Sequence, residues 1–517
     1  MQFAMLRKFP FAVLAVGAAM VLAYLIDDNL GVAWPTNVVR NWQEFGFLNL
    51  HGQLVANSGG FEVAQNPKVY GGMSPVCLYP AFFATQLFSW TGLDTLSFQI
   101  LLAAVVFWAS WRLLGRDNFA LMAAGVAILC PGYLRWPKIL DPNTLAALPV
   151  LPYAVLVLAI LKKPKMTPTL AGALIVLTLA FMSLNWTTAW VCAPCVFMFL
   201  AIPGLNRRAL GTLIAVMVVA IPLVVVGSFA AKYGHHGPGA AGSNSMAVHS
   251  SASSGGLLSI IAGYTWGSGG YGNGTSTAHL FLRLAFTNIV GLLPLWLICL
   301  YALIDSIRAG RRVSGLVFVP LAFAVLNMII MRNYFCHHPW MAGPVLLVGV
   351  VFSLAVLRIS PVADTASGSD KMPLKIVYGA GLVCFVYGFA VLMFFRANES
   401  DLLSLVKLVR QHTARSDTIA ILKSDSVTSP LVDRLDEPLD RHVIEVDNIN
   451  DLANQGHAVI LSAIQLNDSP TLIAQSAAAS QSWLTRVADW FNHSISHRRA
   501  GDRIELPGVF YLYAPRR

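Results

Sequence analysis

The sequence predicts a mainly α-helical, polytopic membrane protein with about eleven transmembrane helices and a small α/β domain at the C-terminal end. Hydrophobic residues make up 56% of the 517 positions and charged residues only 12%, against about 25% charged residues in soluble domains. Long apolar runs recur along the first 395 residues, as expected for helices that cross a bilayer. Residues 396–517 hold 15 of the 25 acidic residues, which predicts a folded domain outside the membrane.

Eleven apolar segments have no Asp, Glu, Lys or Arg in their interiors, and we predict that each spans the membrane. These segments are 9–26, 96–114, 119–135, 143–161, 168–185, 187–205, 209–230, 284–305, 313–331, 339–357 and 376–395. A twelfth segment, 75–90, is ambiguous because it is short and contains Pro80, Gln86 and Trp90.

The distribution of Lys and Arg decides how segment 75–90 is placed. If it is not a span, 15 basic residues of the first 395 fall on one side of the membrane and 7 on the other, as the positive-inside rule favours. We therefore expect 75–90 to be an interfacial helix on the outer face. The chain is predicted to lie in the inner (plasma) membrane, with a cytoplasmic N-terminus and an extracytoplasmic C-terminal domain. We attribute the net charge of +10 to the basic loops that set the orientation of the chain in the membrane. We therefore expect no nucleic-acid partner.

Three segments are predicted on the outer face: the loop 27–95, the Gly/Ser-rich loop 231–283 and the tail 396–517. The predicted domain boundary follows residue 395, so the first outer loop is counted with the transmembrane domain. In the tail, the segment ESDLLSLVKLVRQHT has helical spacing. The segments TIAILKSD, HVIEVDN, AVILSAI and GVFYLYA are typical of short strands.

The motif CAPC at 192–195 has the spacing of a redox pair, but it lies inside an apolar run. We interpret its two cysteines as small buried core residues, because a reactive thiol needs a polar and partly exposed environment.

The few acidic residues on the predicted outer face are candidates for chemistry. Asp27 and Asp28 stand at the outer end of the first span, and Asp141 follows the third span beside Arg135 and Lys138. A carboxylate at this surface could act as a general base or hold a divalent cation, and basic neighbours could bind a phosphate. The alternative is structural, since aspartate is common at helix ends.

A third outer cluster occurs in the segment MRNYFCHHPWMAGP at 331–344, which contains Arg332, His337 and His338. Two adjacent histidines alone make a weak metal site. An arginine at this depth is well suited to binding a lipid phosphate. The alternative interpretation is that aromatic and polar residues anchor the span at the interface.

Taken together, these segments resemble the GT-C superfamily of membrane glycosyltransferases. IDDN at 26–29 is similar to the acidic pair that follows the first span in such enzymes, and NWQEFGFLNLHG and VYGGMSPVCLYPAFFATQLF resemble the rest of their first outer loop. YLRWPKILDPNTLAALP is similar to their second outer loop, and RNYFCHHPWMAGP to a late segment near the donor phosphate. The tail lacks the WWDYG motif of oligosaccharyltransferases, which argues against transfer of whole glycans to asparagine.

The resemblance implies an inverting glycosyltransferase. The donor would be a sugar on polyprenyl phosphate, and the acceptor a glycan, glycolipid or protein at the outer face, among the membrane lipids. The catalytic residues implied are Asp27, Asp28 and Asp141, with Mg or Mn as a candidate cation on Asp28 and Asp141. The donor-phosphate residues implied are Arg332, His337, His338, Arg135 and Lys138. Loop 231–283, with Tyr264, Trp266 and Tyr271, would order over the substrates.

Two rival functions remain open. A lipid-linked glycan flippase or transporter would place ionisable groups inside its spans, whereas the predicted spans have none in their interiors. An O-antigen ligase or polymerase would rely on outer Arg and His residues rather than on Asp27 and Asp28. The sequence therefore favours surface chemistry over transport.

Overall fold

The computed structural model describes residues 9–25, 34–55, 75–87, 94–134, 145, 147–184, 186–234, 277–308, 315–330, 342–359, 372–397, 400–425, 435, 439, 441–448, 458–462, 465–466, 471–475 and 510–514. These residues are mainly helical, and a small sheet lies near the C-terminal end. The chain divides into two compact units. The helical unit comprises Met1–Leu25 and Gly71–Leu392, and the tail unit comprises Ile26–Tyr70 and Met393–Arg517. The first part of the outer loop therefore belongs to the same unit as the tail.

Fourteen described helices precede the tail. They are α1 Phe9–Leu25, α2 Trp34–Phe45, α3 Tyr79–Leu87, α4 Asp94–Leu113, α5 Asn118–Leu129, α6 Pro131–Leu134, α7 Val150–Leu161, α8 Pro168–Met182, α9 Trp186–Ala201, α10 Arg207–Gly234, α11 Thr277–Arg308, α12 Val319–Ile330, α13 Ala342–Ile359 and α14 Leu374–Ala397.

Each of the eleven predicted spans overlaps an apolar helix, and prolines mark two of the helix boundaries. The predicted span 119–135 is divided into α5 and α6, because Cys130 precedes Pro131 and adopts an extended conformation with ψ 136°. Helix α8 starts at Pro168, where the side chain of Thr167 accepts a hydrogen bond from the amide of Leu170 at the helix N-terminus.

Three helices in the described part of the chain are long and apolar enough to cross a bilayer by themselves. They contain the segments Arg207–Val224, Leu284–Arg308 and Leu374–Met393. The other apolar helices have 10–17 described residues in their apolar segments. The architecture is thus compatible with a membrane protein.

The ambiguous segment 75–90 contains a 3₁₀ turn at Pro75–Leu78 followed by α3. One face of α3 is buried and packs beside α4, with Ala81 and Phe82 inside. Phe83 and Leu87 are 57% and 69% exposed. Both the buried and the exposed face of this short helix therefore carry apolar side chains.

At one end of the helical unit, polar side chains join helices that are far apart in sequence. Arg358 in the last turn of α13 forms an ion pair with Asp117, which also accepts a hydrogen bond from the amide of Ala120 at the start of α5. The guanidinium of Arg358 lies 5.0 Å from the ring centroid of Phe119. The side-chain amide of Asn118 donates to the carbonyl of Met372 at 2.7 Å. We call this end, defined by Asp117, Asn118 and Arg358, the basic end.

A second polar contact joins two more of the predicted inner loops. The backbone amide of Asn206 donates to the carbonyl of Leu161 at 2.9 Å, and its side chain donates to the carbonyl of Lys163 at 3.2 Å. The loop after α7, which contains Lys162 and Lys163, therefore lies beside the start of α10 with Arg207 and Arg208.

The tail unit contains α15 Ser400–His412 and five strands, β1 Thr418–Leu422, β2 His442–Val446, β3 Ala458–Ser462, β4 Thr471–Gln475 and β5 Tyr511–Ala514. The strand order is β2-β1-β3-β5-β4. Strand β1 pairs in parallel with β2 and β3, and β5 pairs antiparallel with β3 and β4. The predicted helix and the four predicted strands are confirmed.

The alternation of side chains in β1 explains why this strand is buried on both faces. Ile419 and Ile421 pack with Leu405 and Val409 of α15, whereas Ala420 and Leu422 belong to a second cluster on the other face. Strand β4 was not predicted. It lies at the sheet edge and all five of its residues are exposed or half-buried, so its sequence lacks the apolar alternation of a buried strand.

The cysteines of the CAPC motif, Cys192 and Cys195, are fully buried and unpaired in α9. Their interpretation as core residues is therefore confirmed.

Candidate functional site

The residues that the sequence singles out for chemistry lie outside the described residues. They are Asp27, Asp28, Arg135, Lys138, Asp141, Tyr264, Trp266, Tyr271, Arg332, His337 and His338. The described helices on either side of these segments nevertheless show where each segment leaves the helical unit.

Glycines bring α6, α11 and α13 into backbone contact. A Cβ atom added to Gly343 at the start of α13 would lie 2.9 Å from the carbonyl oxygen of Gly132 in α6. A Cβ atom on Gly132 would lie 3.2 Å from the carbonyl oxygen of Gly291 in α11. A side chain at Gly343 would collide with backbone, and one at Gly132 would be tightly packed against it, so this approach depends most on glycine at position 343.

The contact between α6 and α13 joins two helix ends that flank predicted clusters in the sequence. Helix α6 ends at Leu134, directly before Arg135, and Gly343 follows His338 by five residues. The segment that carries Arg135, Lys138 and Asp141 and the segment that carries Arg332, His337 and His338 therefore both join the helical unit at this contact.

Helices α1 and α14 meet the same region through Gly388. A Cβ atom on Gly388 would lie 2.9 Å from the carbonyl oxygen of Leu129, 3.3 Å from Cδ1 of Leu22 and 3.8 Å from Cδ1 of Leu134. Leu22 is one turn before the end of α1. The last part of α1, the junction of α5 with α6 and the middle of α14 are thus packed together.

This contact region lies at the end of the helical unit opposite the basic end. Gly343 and Arg358 are separated by fifteen residues of α13, which is about 22 Å along a helix. Gly132 and Asn118 stand at opposite ends of the α5–α6 pair. We call the region defined by Leu22, Gly132, Leu134, Gly343 and Gly388 the glycine end.

Tyr133 adds an unsatisfied polar group to the glycine end. Its side chain is 2% exposed, and its hydroxyl has no hydrogen-bond partner among the described residues. Buried hydroxyls normally have a partner, so a group without one is a candidate ligand contact. Tyr133 was not among the residues predicted from the sequence, although its position two residues before Arg135 was a usable signal.

The interior of the helical unit is uncharged wherever it is described. The buried polar residues in its described helices are Thr85, Gln99, Ser110, Thr178, Thr188, Thr287, Asn288, Ser306 and Ser353. Several bond locally, as Thr178 does to the carbonyl of Leu174 at 2.7 Å.

The candidate cation ligands Asp28 and Asp141 lie outside the described residues, and the described ranges contain no group of three or more His, Cys, Asp or Glu that could hold a metal ion. Oxygen ligands of this kind would suit Mg or Mn.

No protein-family model matches the chain, and no curated protein matches it in sequence.

Proposed function

We propose that this protein is an inverting glycosyltransferase of the inner membrane. It would move a sugar from a polyprenyl-phosphate donor to a glycan, glycolipid or protein acceptor at the outer face. Asp27 or Asp28 would be the general base, and Asp141 would orient the acceptor. Arg332, His337, His338, Arg135 and Lys138 would bind the donor phosphate.

The observation that carries this proposal is the backbone contact between Gly132 and Gly343. It joins the start of the Asp141 segment to the end of the segment that carries Arg332 and the histidines. Asp27 follows Leu22 by five residues in sequence. The segment that carries Asp141 and the segment that carries Arg332 and the histidines thus continue from two helix ends that are in contact.

We also propose eleven spans with a cytoplasmic N-terminus and an extracytoplasmic C-terminal domain. Polar contacts pair the loop near Arg116 with the end of α13 at Arg358, and the loop near Lys163 with the start of α10 at Arg207. These pairings accord with the predicted position of all four basic regions on one side of the membrane. The segment after α1 and the segment after α14 belong to one compact unit. With eleven spans, ten spans separate the segment after α1 from the segment after α14. An even number of crossings puts these two segments on the same side of the membrane.

In the proposed mechanism the acceptor hydroxyl or amide loses its proton to Asp27 or Asp28. The acceptor oxygen or nitrogen then attacks the anomeric carbon, and the bond from that carbon to the lipid-phosphate oxygen breaks. The electron pair leaves with the phosphate, whose charge the basic residues stabilise. A single displacement of this kind inverts the anomeric configuration.

A transporter for lipid-linked glycans is the main rival, and the character of the helix interiors argues against it. Transporters commonly use ionisable groups near the middle of their spans. Across the described helices of the helical unit, the buried polar residues are neutral.

The decisive experiment compares Asp27→Asn, Asp28→Asn and the double variant in a deletion strain, with mass spectrometry of cell-envelope glycans as the readout. We expect the double variant to abolish the modification that the wild-type gene restores, because no carboxylate would remain at the first span to accept the proton. Protein levels in the membrane should be unchanged.

Asp447→Asn is the matched control. Asp447 is an exposed aspartate of the tail, 76% exposed and paired with Lys423, so its loss should leave the glycan modification intact. Full modification in the Asp27/Asp28 double variant would reject the catalytic assignment and favour a ligase that depends on Arg and His, or transport.

A further inference from the structure

The tail unit contains a contact that joins its sheet domain to the first outer loop. Arg415, in the turn between α15 and β1, reaches α2, which belongs to the loop that follows the first span. Its Nη1 atom lies 2.5 Å from Oε2 of Glu44, and its Nη2 atom donates to Oδ1 of Asn41 at 2.6 Å. We call these three residues the Arg415 clamp.

The geometry of the clamp suits it to holding a helix. Asn41 and Glu44 are three residues apart and therefore lie on the same face of α2. The planar guanidinium of Arg415 donates to Asn41 and to Glu44 through separate N–H groups. A lysine ammonium does not reproduce this two-point geometry. The side chain of Arg415 is only 16% exposed, so water screens the contact less than it would at a fully open surface.

The α2 side of the clamp is fixed by its own hydrogen bonds. The amide nitrogen of Asn41, which is fully buried, donates to the carbonyl of Val55 at 2.8 Å. The indole of Trp42 donates to the carbonyl of Gln53 at 2.7 Å. Gly46 has φ +89°, a value that allows the chain to turn back after α2. Residues 34–55 thus form one folded piece.

The sheet side of the clamp is equally well anchored. The amide of Ala414 donates to Oδ2 of Asp417 at 2.6 Å, which closes the turn that carries Arg415. The buried side chain of Arg441 donates to Oγ1 of Thr413 at 3.0 Å and to the carbonyl of Thr413 at 2.9 Å. Arg415 therefore extends from a turn that is held on both sides.

We propose that Arg415 is a positioning residue for the acidic pair, in that the clamp holds α2 and so restricts the segment that carries Asp27 and Asp28. Helix α2 begins six residues after Asp28, so loss of the clamp would loosen that connection. This inference rests on the proposed function of the acidic pair. In this proposal the C-terminal domain contributes to the catalytic step by positioning the acidic pair. The donor phosphate is bound by residues of other segments.

The test uses the full-length protein in lipid nanodiscs and compares wild type with Arg415→Ala and Arg415→Lys. Hydrogen–deuterium exchange should be at least tenfold faster for the amides of α2 in Arg415→Ala and unchanged for those of β1. Glycan modification in the deletion strain should fall at least tenfold. Binding of undecaprenyl phosphate should stay within twofold of wild type, and Arg415→Lys should restore part of the activity.

Lys423→Ala is the control, because Lys423 is a basic residue of the same domain whose ion pair with Asp447 is exposed. It should change neither exchange nor modification. Normal exchange of α2 in Arg415→Ala would overturn the clamp. Faster exchange with full modification, or a parallel loss of undecaprenyl phosphate binding, would overturn the positioning role.

The Asp27/Asp28 double variant, measured in the same series, separates the two proposals. If it is inactive while Arg415→Ala is fully active, only the positioning role fails. If the double variant is fully active, the proposed function itself fails.

Discussion

The two ends of the helical unit are closed by different physical means. At the basic end, charged and amide side chains join the helices, as in the ion pair of Asp117 with Arg358 and the bond from Asn118 to the carbonyl of Met372. At the glycine end, Gly132 and Gly343 bring backbone against backbone without any side chain between them.

The difference shows that one helix bundle can be closed by side-chain contacts at one end and by backbone approach at the other. At the basic end, Asp117 and Asn118 use polar side-chain atoms to join neighbouring helices. Backbone approach at the glycine end holds the helices by close packing, so polar groups such as the Tyr133 hydroxyl are left for another partner. Three predictions test this contrast, and a fourth concerns the tail.

The largest effect is expected from adding a side chain at the backbone contact between α6 and α13. Gly343→Ala would place a methyl group 2.9 Å from the carbonyl oxygen of Gly132 and should lower the free energy of unfolding by about 1–3 kcal/mol through overpacking. Glycan modification should fall as well, because the candidate segments would be displaced. Thermal unfolding in detergent and glycan mass spectrometry measure the two effects.

Gly172→Ala and Gly211→Ala are the matched controls for this change. No heavy atom outside their local helical neighbourhood would lie within 4 Å of a Cβ atom at either site. Alanine is a better helix former than glycine, so both variants should be as stable as wild type or slightly more stable. Wild-type behaviour of Gly343→Ala would show that the glycine contact is not needed.

The second prediction concerns the basic end. Asp117→Ala removes both the ion pair with Arg358 and the cap on the amide of Ala120. It should lower the free energy of unfolding by about 1–2 kcal/mol. Asp117→Asn keeps a capping side chain and should cost less. Chemical or thermal unfolding in detergent ranks the two.

Neither Asp117 variant should change glycan modification per folded molecule, since the basic end is assigned a structural role. A loss of modification in Asp117→Asn at wild-type stability would mean that both ends contribute to function, and the contrast between them would fail.

The third prediction compares the buried hydroxyl of Tyr133, which has no hydrogen-bond partner among the described residues, with a buried hydroxyl that has one. Tyr133→Phe should leave stability unchanged or raise it by about 1 kcal/mol, because an unpartnered buried hydroxyl carries an uncompensated desolvation cost. If that hydroxyl contacts the substrate, glycan modification should fall severalfold. Thermal unfolding and glycan mass spectrometry are again the measurements.

Tyr153→Phe provides the opposite case. The hydroxyl of Tyr153 lies 3.0 Å from Oγ1 of Thr178, so its removal should lower the free energy of unfolding by about 1 kcal/mol and leave modification unchanged. Destabilisation of Tyr133→Phe with normal modification would assign Tyr133 an ordinary packing role.

The smallest effect is expected on the exposed surface of the tail. Nζ of Lys423 lies 2.8 Å from Oδ1 of Asp447, and the hydrogen bond and charge of that carboxylate raise the pKa of Lys423. The pair is 51% and 76% exposed, and exposed ion pairs contribute little. Lys423→Ala should therefore leave the melting temperature at neutral pH unchanged within error. A clear drop would show that this surface is buried by something else.

Sequence patterns predicted the elements whose signal is local. Apolar runs identified the helices, and the burial of Cys192 and Cys195 followed from the run around them. The strands around Ile421 and Ile460 were recognisable by their apolar, β-branched residues. Strand β4 was missed because an edge strand with exposed side chains does not need such a pattern.

The grouping of the first outer loop with the tail was beyond reach of such patterns. It depends on Arg415 meeting Asn41 and Glu44 across more than 370 residues of sequence. The predicted boundary after residue 395 assigned the loop by its position in the chain, whereas Ile26–Tyr70 belongs to the tail unit.

By itself, the sequence determined that the chain is mainly helical, that its helices are apolar and that a small α/β domain ends it, because composition and periodicity are properties of neighbouring residues. Only the tertiary structure decided which distant segments meet. Gly132, Gly343 and Gly388 allow backbones to touch, and Arg415 selects its partners on α2. Such contacts form only when two surfaces from distant parts of the sequence meet. The pattern of residues within one segment therefore does not predict them.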